Sequence, residues 1–320
     1  MTASSFQQQV DALCVDQLVE PLTVSDRVTL RVGRWTPQPA RGRVILLSGR
    51  GGFLEKYYPV LIQLLQRGLE VVSFDWRGQG LSSRLSADPH LGHVDTFSDY
   101  IDDFDHVWTT VFRPESGQRN YLLAHSMGAH IALRWLREKH AGAALFEHAW
   151  LTAPLAGIDT RPYPLSLAKL IAAVACRLGA GHRYVPQGFG FDAENYQLQG
   201  LATLTSDPEQ IAYELACIQA TPELQLGAAS FGWLNAAFQS LERLHGPGYI
   251  EQIAQPITQF LAENEQVVDN QALRVLQRRL PHSALVTIPA AKHDLLVEDE
   301  SLQAPVWATI DRQLADDLKA

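Results

Sequence analysis

The sequence predicts an α/β fold with a doubly wound, mostly parallel sheet and a helical insertion. Three observations carry this expectation. Short apolar runs alternate with helical stripes along the chain. The runs are apolar almost throughout, as in strands covered on both faces. The alternation stops between about Pro154 and Gly248 and then resumes, which indicates one domain interrupted rather than two in tandem.

In chain order the strand-like runs are Val44–Leu47, Val71–Phe74, Tyr121–Ala124, Trp150–Thr152, Ile257–Leu261 and Ala284–Ile288. Between them, Leu54, Tyr58, Leu61 and Leu65 recur at helical spacing, as do Phe97, Ile101, Phe104 and Trp108. The stretch from Pro154 to Gly248 shows no clear strand. It is rich in aromatics: Tyr163, Tyr184, Phe189, Phe191, Tyr196, Phe231, Trp233 and Phe238. It is too long for a loop in a compact domain, so an inserted helical cap is expected. The expected division is a core formed by residues 1–154 and 249–320, with the cap at 155–248. There is no internal repeat.

Composition narrows the function. The 320 residues are 46% hydrophobic and 19% charged, ordinary for a globular chain and long enough to bury roughly three-quarters of the unfolded surface. Lys and Arg number 26 against 35 Asp and Glu, a formal net charge of -9. So acidic a chain lacks the basic footprint that grips phosphate backbones, and no nucleic-acid partner is expected. Cys14, Cys176 and Cys217 are scattered without a CxxC pair, which predicts neither a disulfide framework nor a zinc site. The first residues show no secretory signal pattern, and no apolar run reaches the ~20 residues of a membrane span. A cytoplasmic location is the simplest expectation. The amphipathic stretch Leu165–Leu178 suits either transient contact with a membrane surface or a helix packed on the core.

The sharpest feature is the run from Tyr121 to Ala129. An apolar strand enters Ala124-His125-Ser126-Met127-Gly128, and a helix follows. This is a G-x-S-x-G type elbow with Ala124 in the first glycine position. A tight strand-to-helix turn lifts the Ser126 hydroxyl above the sheet edge, and the Met127 N–H at the helix start is free for a developing oxyanion. A serine that merely caps a helix is the plain alternative. A second loop, Ser48-Gly49-Arg50-Gly51-Gly52, follows the first run and offers the Arg50 N–H as a second donor. It matches neither a P-loop nor a complete dinucleotide fingerprint, so no nucleotide or other cofactor is expected.

Among 11 histidines, His293 stands past the last strand run and before the final helix, at the same carboxyl edge of the sheet as Ser126. It is the expected base. His125, beside the serine, should point elsewhere. His90 and His93 form an HxxH pair read as solvated rather than metal-binding, and no metal site is expected. The acid should lie after the preceding strand, where Glu265 and Asp269 are both candidates. Asp269 has a sufficient structural reason as the N-cap of the next helix. Glu265 has none and is preferred. The turn Asp75-Trp-Arg77-Gly78-Gln-Gly80-Leu-Ser82 reads as structural, with Arg77 paired locally.

These motifs, with Lys292-His293-Asp-Leu-Leu, resemble the α/β-hydrolase superfamily, within it the serine lysophospholipase and monoacylglycerol lipase group. The stretches Leu85–Val94, Tyr100–Phe104 and Glu263–Asn270 are similar to bacterial lysophospholipases of the L2 type. The resemblance covers roughly residues 40–130 and 255–300, and no quoted motif matches the cap. It implies an α/β-hydrolase fold, with Ser126 as nucleophile, His293 as base and Glu265 as acid. Arg50 and Met127 become the backbone donors of the oxyanion hole. Two departures are Ala124 for the usual glycine and Glu265 where most relatives carry Asp. The implied substrate is a lipid ester, and the aromatic cap favours monoacyl lipids over short esters. A monoacylglycerol lipase, a general carboxylesterase, a relative acting on amides or peptides, and a non-catalytic binding homologue are the alternatives.

Overall fold

A computed structural model describes residues 3–317. Helix α1 (Ala3–Leu13) leads into an antiparallel hairpin of β1 (Cys14–Ser25) and β2 (Val28–Pro37). Then come β3 (Gly42–Leu47), α2 (Tyr58–Gln66), β4 (Leu69–Phe74), α3 (Phe97–Val107), β5 (Asn120–His125), α4 (Met127–Lys139) and β6 (His148–Thr152). Five helices follow without an intervening strand: α5 (Leu165–Arg177), the single turns α6 (Ala193–Asn195) and α7 (Ala202–Leu204), α8 (Pro208–Ala220) and α9 (Phe231–Leu244). The chain ends with β7 (Ile257–Ala262), α10 (Asn270–Arg279), β8 (Ser283–Ile288) and α11 (Glu300–Asp317).

The eight strands form one sheet in the order β1-β2-β4-β3-β5-β6-β7-β8. Every pairing from β4 to β8 is parallel, while β1 and β2 run antiparallel. Each apolar run picked from the sequence lies in one of the strands β3 to β8. Burial on both faces holds for β3, β5 and β7, whose residues are all buried. It fails at β8, an edge strand that leaves Ala284 and Thr287 exposed. The hairpin β1–β2 was not expected. Apolar residues pack on both faces of the sheet. On one side α3, α4, α9 and α10 close over Ile45, Leu122 and Leu151; on the other α2 and α11 close over Val44, Leu123 and Phe260.

Register places the site. Leu47 of β3 pairs with Ala124 of β5, so the loops leaving these two strands emerge side by side. Beyond β6, the outer strands β7 and β8 deliver the loops that carry Glu265 and His293 to the same edge. Within the insertion, α9 buries Trp233, Ala237, Phe238 and Leu244 in the main core, whereas α5 buries only Ala172. Leu170 and Leu178 are 60% and 80% exposed, so the outer face of this stretch is apolar and turned to solvent. All three cysteines are free. Among the described residues, no helix is long and apolar enough to cross a membrane.

Candidate active site

The elbow is tight because its residues allow it. Ser126 sits at φ 51° and ψ -113°, a strained left-handed conformation for a non-glycine residue. Its N–H donates to the Thr152 carbonyl at 2.9 Å, and its own carbonyl accepts from His130 N and Leu155 N. Gly128 lets α4 meet β3: a Cβ there would stand 2.5 Å from the Ser48 carbonyl oxygen. Gly49 also packs against the serine, since a Cβ there would lie 3.2 Å from that of Ser126. Ala124, fully buried, fits where a glycine is usual.

Ser126 Oγ lies 2.9 Å from His293 Nε2, and His293 Nδ1 lies 2.7 Å from Glu265 Oε2. The network assigns the tautomer: Nδ1–H donates to Glu265 and Nε2 accepts from the serine hydroxyl. The other Glu265 oxygen accepts from Val267 N at 2.7 Å and Val268 N at 3.2 Å. Burial alone would raise the Glu265 pKa; the His293 contact and the two amides outweigh it and hold the carboxyl below its ordinary value. Asp269 accepts from Gln271 N and Ala272 N, capping α10 as the sequence indicates, and has no bond to His293. Neither the Arg50 nor the Met127 backbone N–H meets an acceptor among the described residues.

The turn after β4 braces this arrangement. Asp75 accepts from Leu54 N and Leu81 N, and Trp76 Nε1 donates to the Ser48 carbonyl. Gln79 accepts from Gly51 N, and its amide reaches Met127 Sδ at 3.9 Å. The turn thus steadies the loop that carries Arg50. Its Arg77 does not pair locally: it forms a bidentate bond with Asp103 on α3, because the turn packs against that helix.

Three polar residues beside the site escaped the sequence reading. His125 turns away from Ser126 as expected, but its Nε2 lies 2.6 Å from Asp294, next to the histidine at 293. Burial pushes the His125 imidazole toward its neutral form. The second Asp294 oxygen is 2.9 Å from Lys56 Nζ, and Lys56 is also 3.0 Å from Glu214 on α8. Burial disfavours both charges, yet Asp294 holds Lys56 well above its ordinary pKa, and Lys56 with His125 holds Asp294 well below its own. A lysine inside a surface-looking Glu-Lys-Tyr run gives no sign of this; the only signal is its proximity to the second glycine loop.

The histidines at 90 and 93 part company. His93 is buried, with Nδ1 2.8 Å from Ser230 Oγ and Nε2 3.2 Å from Asp95, so it is not solvated as the sequence suggested. The loop after β4 is covered by α9, and Ser230 is the N-cap of that helix. His90 instead accepts from Phe191 N. His93, Asp95 and His182 bring ligand-type atoms within 4.8 Å of one another, as do His125, His293 and Asp294; in the second group every donor already has a protein partner.

A cleft of about 350 Å³ opens between the sheet edge and the insertion. Arg50, Gly51 and Lys56 line its core side, and Phe189, Phe191, Tyr196, Leu204, Ile218 and Leu226 line the other. Only three of the nine aromatics between residues 155 and 248 line it; Trp233 and Phe238 are buried in the core instead.

The family model described as serine aminopeptidase S33 matches residues 38–300. The chain belongs to this family of α/β hydrolases. Proteins similar to it include a probable lysophospholipase L2 of Haemophilus influenzae, 31% identical over 276 residues, covering 86% of the chain and 84% of the relative. Lysophospholipase L2 of Escherichia coli is 30% identical over 289 residues, covering 87% and 82%. Among solved structures, a soluble variant of monoglyceride lipase from Saccharomyces cerevisiae superposes with a TM-score of 0.73 at 18% identity, covering 94% of this chain and 97% of that one. At that identity the likeness speaks for the α/β-hydrolase fold alone.

Proposed function

We propose that this α/β hydrolase is a serine carboxylic-ester hydrolase acting on monoacyl lipids, that is, a lysophospholipase. The observation that carries the chemistry is the hydrogen-bonded line Ser126–His293–Glu265 at a strained elbow. Ser126 attacks the ester carbonyl while His293 takes its proton at Nε2. Glu265 holds the imidazole by Nδ1–H and stabilises it once charged. The Arg50 and Met127 N–H groups receive the developing oxyanion. His293 then protonates the leaving alcohol, and water, deprotonated by the same histidine, releases the fatty acid. These steps draw on side chains and backbone only.

The substrate class rests on the lysophospholipase names of the relatives and on the largely apolar, aromatic wall of the cleft. We read residues 155–248 as the cap that supplies this wall. The outer face of α5 and its C-cap, with Leu170 and Leu178 exposed, is where the protein would touch a membrane. Three free cysteines favour a reducing compartment, hence the cytoplasmic side of that membrane. Leu170→Glu combined with Leu178→Glu is expected to weaken sedimentation with phosphatidylethanolamine/phosphatidylglycerol vesicles several-fold, and undiminished sedimentation would count against this face.

The direct test is fatty-acid release from a lysophospholipid and from a monoacylglycerol of equal chain length, over an enzyme blank inactivated by a fluorophosphonate. Release from the lysophospholipid is expected, with a lauroyl ester turned over faster than an acetyl one. Release from the glyceride alone would keep the mechanism and make the protein a monoacylglycerol lipase. Failure of the fluorophosphonate to label Ser126 would point to a binding homologue.

A further inference from the structure

Two basic side chains line the cleft, and only one of them is neutralised. Lys56 lies between Glu214 and Asp294. Arg50, six residues earlier, has no carboxylate partner among the described residues, and burial disfavours its charge. The carboxylate that lines the same cleft, Asp192, caps α6 through Asn195 N. The Arg50 guanidinium donates from Nη2 to the Gly227 carbonyl at 2.8 Å and lies 5.4 Å from the Trp233 ring centroid. Its Nε is sealed from solvent and has no hydrogen-bond partner. Gly92 leaves the room it needs, since a Cβ there would stand 2.2 Å from Nη2. A chain of net charge -9 has thus placed a guanidinium in a cleft with no anion opposite it.

A sheltered charge without a counter-ion is costly unless something supplies one. The planar fork of an arginine suits a phosphate, to which it donates two parallel bonds. Position narrows the choice. Arg50 follows Gly49, which abuts Ser126, so its backbone stands at the reacting ester while its side chain reaches into the cleft. In a monoacyl glycerophospholipid the phosphodiester is carried on the same glycerol as the scissile ester. We propose that the Arg50 side chain binds the phosphodiester of a lysophospholipid, which makes Arg50 the residue that selects phospholipid over neutral glyceride. The proposal rests on the ester-hydrolase reading above and adds the headgroup contact to it.

The test uses the full chain and the ratio of kcat/KM for lysophosphatidylcholine over a monoacylglycerol of equal chain length. Arg50→Gln keeps the backbone donor and is expected to lower that ratio about ten- to a hundredfold, the scale of one charged hydrogen-bonding contact. Arg50→Lys should restore part of it. An unchanged ratio, with both substrates slowed alike, would reduce Arg50 to a wedge under Gly227 and overturn the proposal. Glycerophosphocholine, which has no ester to cleave, should inhibit monoacylglycerol hydrolysis by the wild type and inhibit Arg50→Lys more weakly. Absence of that inhibition overturns the proposal even if Arg50→Gln fails to fold. Equal inhibition by inorganic phosphate would assign the subsite to phosphate in general rather than to the lipid headgroup, and so would overturn the lipid assignment. A wild type that cleaves the glyceride but not the phospholipid sinks the headgroup contact alone. One that cleaves neither sinks the ester-hydrolase reading beneath it.

Discussion

Ser126→Ala is expected to lower ester hydrolysis by a factor of about 10⁴ or more, with the protein still folded. The serine hydroxyl is 2.9 Å from the His293 imidazole nitrogen that would accept its proton, and alanine leaves no nucleophile on the elbow. The residual rate would come from oxyanion donors and binding alone. The same assay separates the two acids. Glu265→Gln replaces the carboxylate that fixes the His293 tautomer with a neutral amide, one of whose two positions can only donate, and should cost about 10²–10⁴ in kcat. Asp269→Asn removes a charged N-cap from α10, so it should cost stability of about 1 kcal/mol or less and little rate. A severe rate loss in the Asp269 variant, with Glu265→Gln active, would overturn the assignment. Acid should act through Glu265 as well. Its pKa is lower folded than unfolded, so the stability it contributes is full above the unfolded value near 4.3 and is lost as pH falls through the folded value.

The second large effect is expected at Lys56. Its ammonium is buried between Asp294 and Glu214, and Lys56→Met leaves two carboxylates facing each other without a cation. Removing one partner of a buried ion pair typically costs about 3–5 kcal/mol. Asp294 is the more telling reporter, since it is held well below its ordinary pKa. That contribution is complete above the unfolded aspartate value near 3.9 and disappears as pH drops through the folded one. Without Lys56 the folded pKa of Asp294 rises, so the acid-unfolding midpoint should move to higher pH. Thermal melts of wild type and Lys56→Met between pH 4 and 8 check both statements. Equal melting temperatures at pH 7 would show that the trio contributes no net stability.

What could be read from the sequence, and what could not, divides along physical lines. Strands β3 to β7 are central and parallel, so nearly every residue must be apolar, and a continuous run announces them. The hairpin was missed because it obeys another rule. In β2, Val28, Leu30 and Val32 are buried while Thr29 and Arg31 are partly exposed, a period-two pattern without a run. β1 is an exposed edge with Pro21 inside it, which argues against a strand on composition alone. At the site, Ser126, His293 and Glu265 sit at strand ends, where chain order and punctuation are informative. Lys56, Gln79 and Asp294 act across the fold, through partners 158, 28 and 169 positions away in the cases of Glu214, Gly51 and His125. No local pattern records such distances. The aromatics of the insertion misled for a related reason: Trp233 and Phe238 look like pocket lining but face the sheet, because α9 is the crossover helix between two parallel strands.

That last feature bears on how a lipid gets in. α9 belongs to the walls of the hydrolase core, and α8 is bolted down by the Glu214–Lys56 pair and by Tyr213 to the Glu55 carbonyl. A roof fixed along two of its beams does not lift as a single lid. Of the three long helices of the insertion, α5 has the least to lose by moving, since it buries only Ala172. The cleft is lined by Phe189, Phe191, Tyr196 and Leu204 and by no residue of α5, and the short helices α6 and α7 in that stretch bury none of their residues, so it is this part of the roof that an entering lipid would displace.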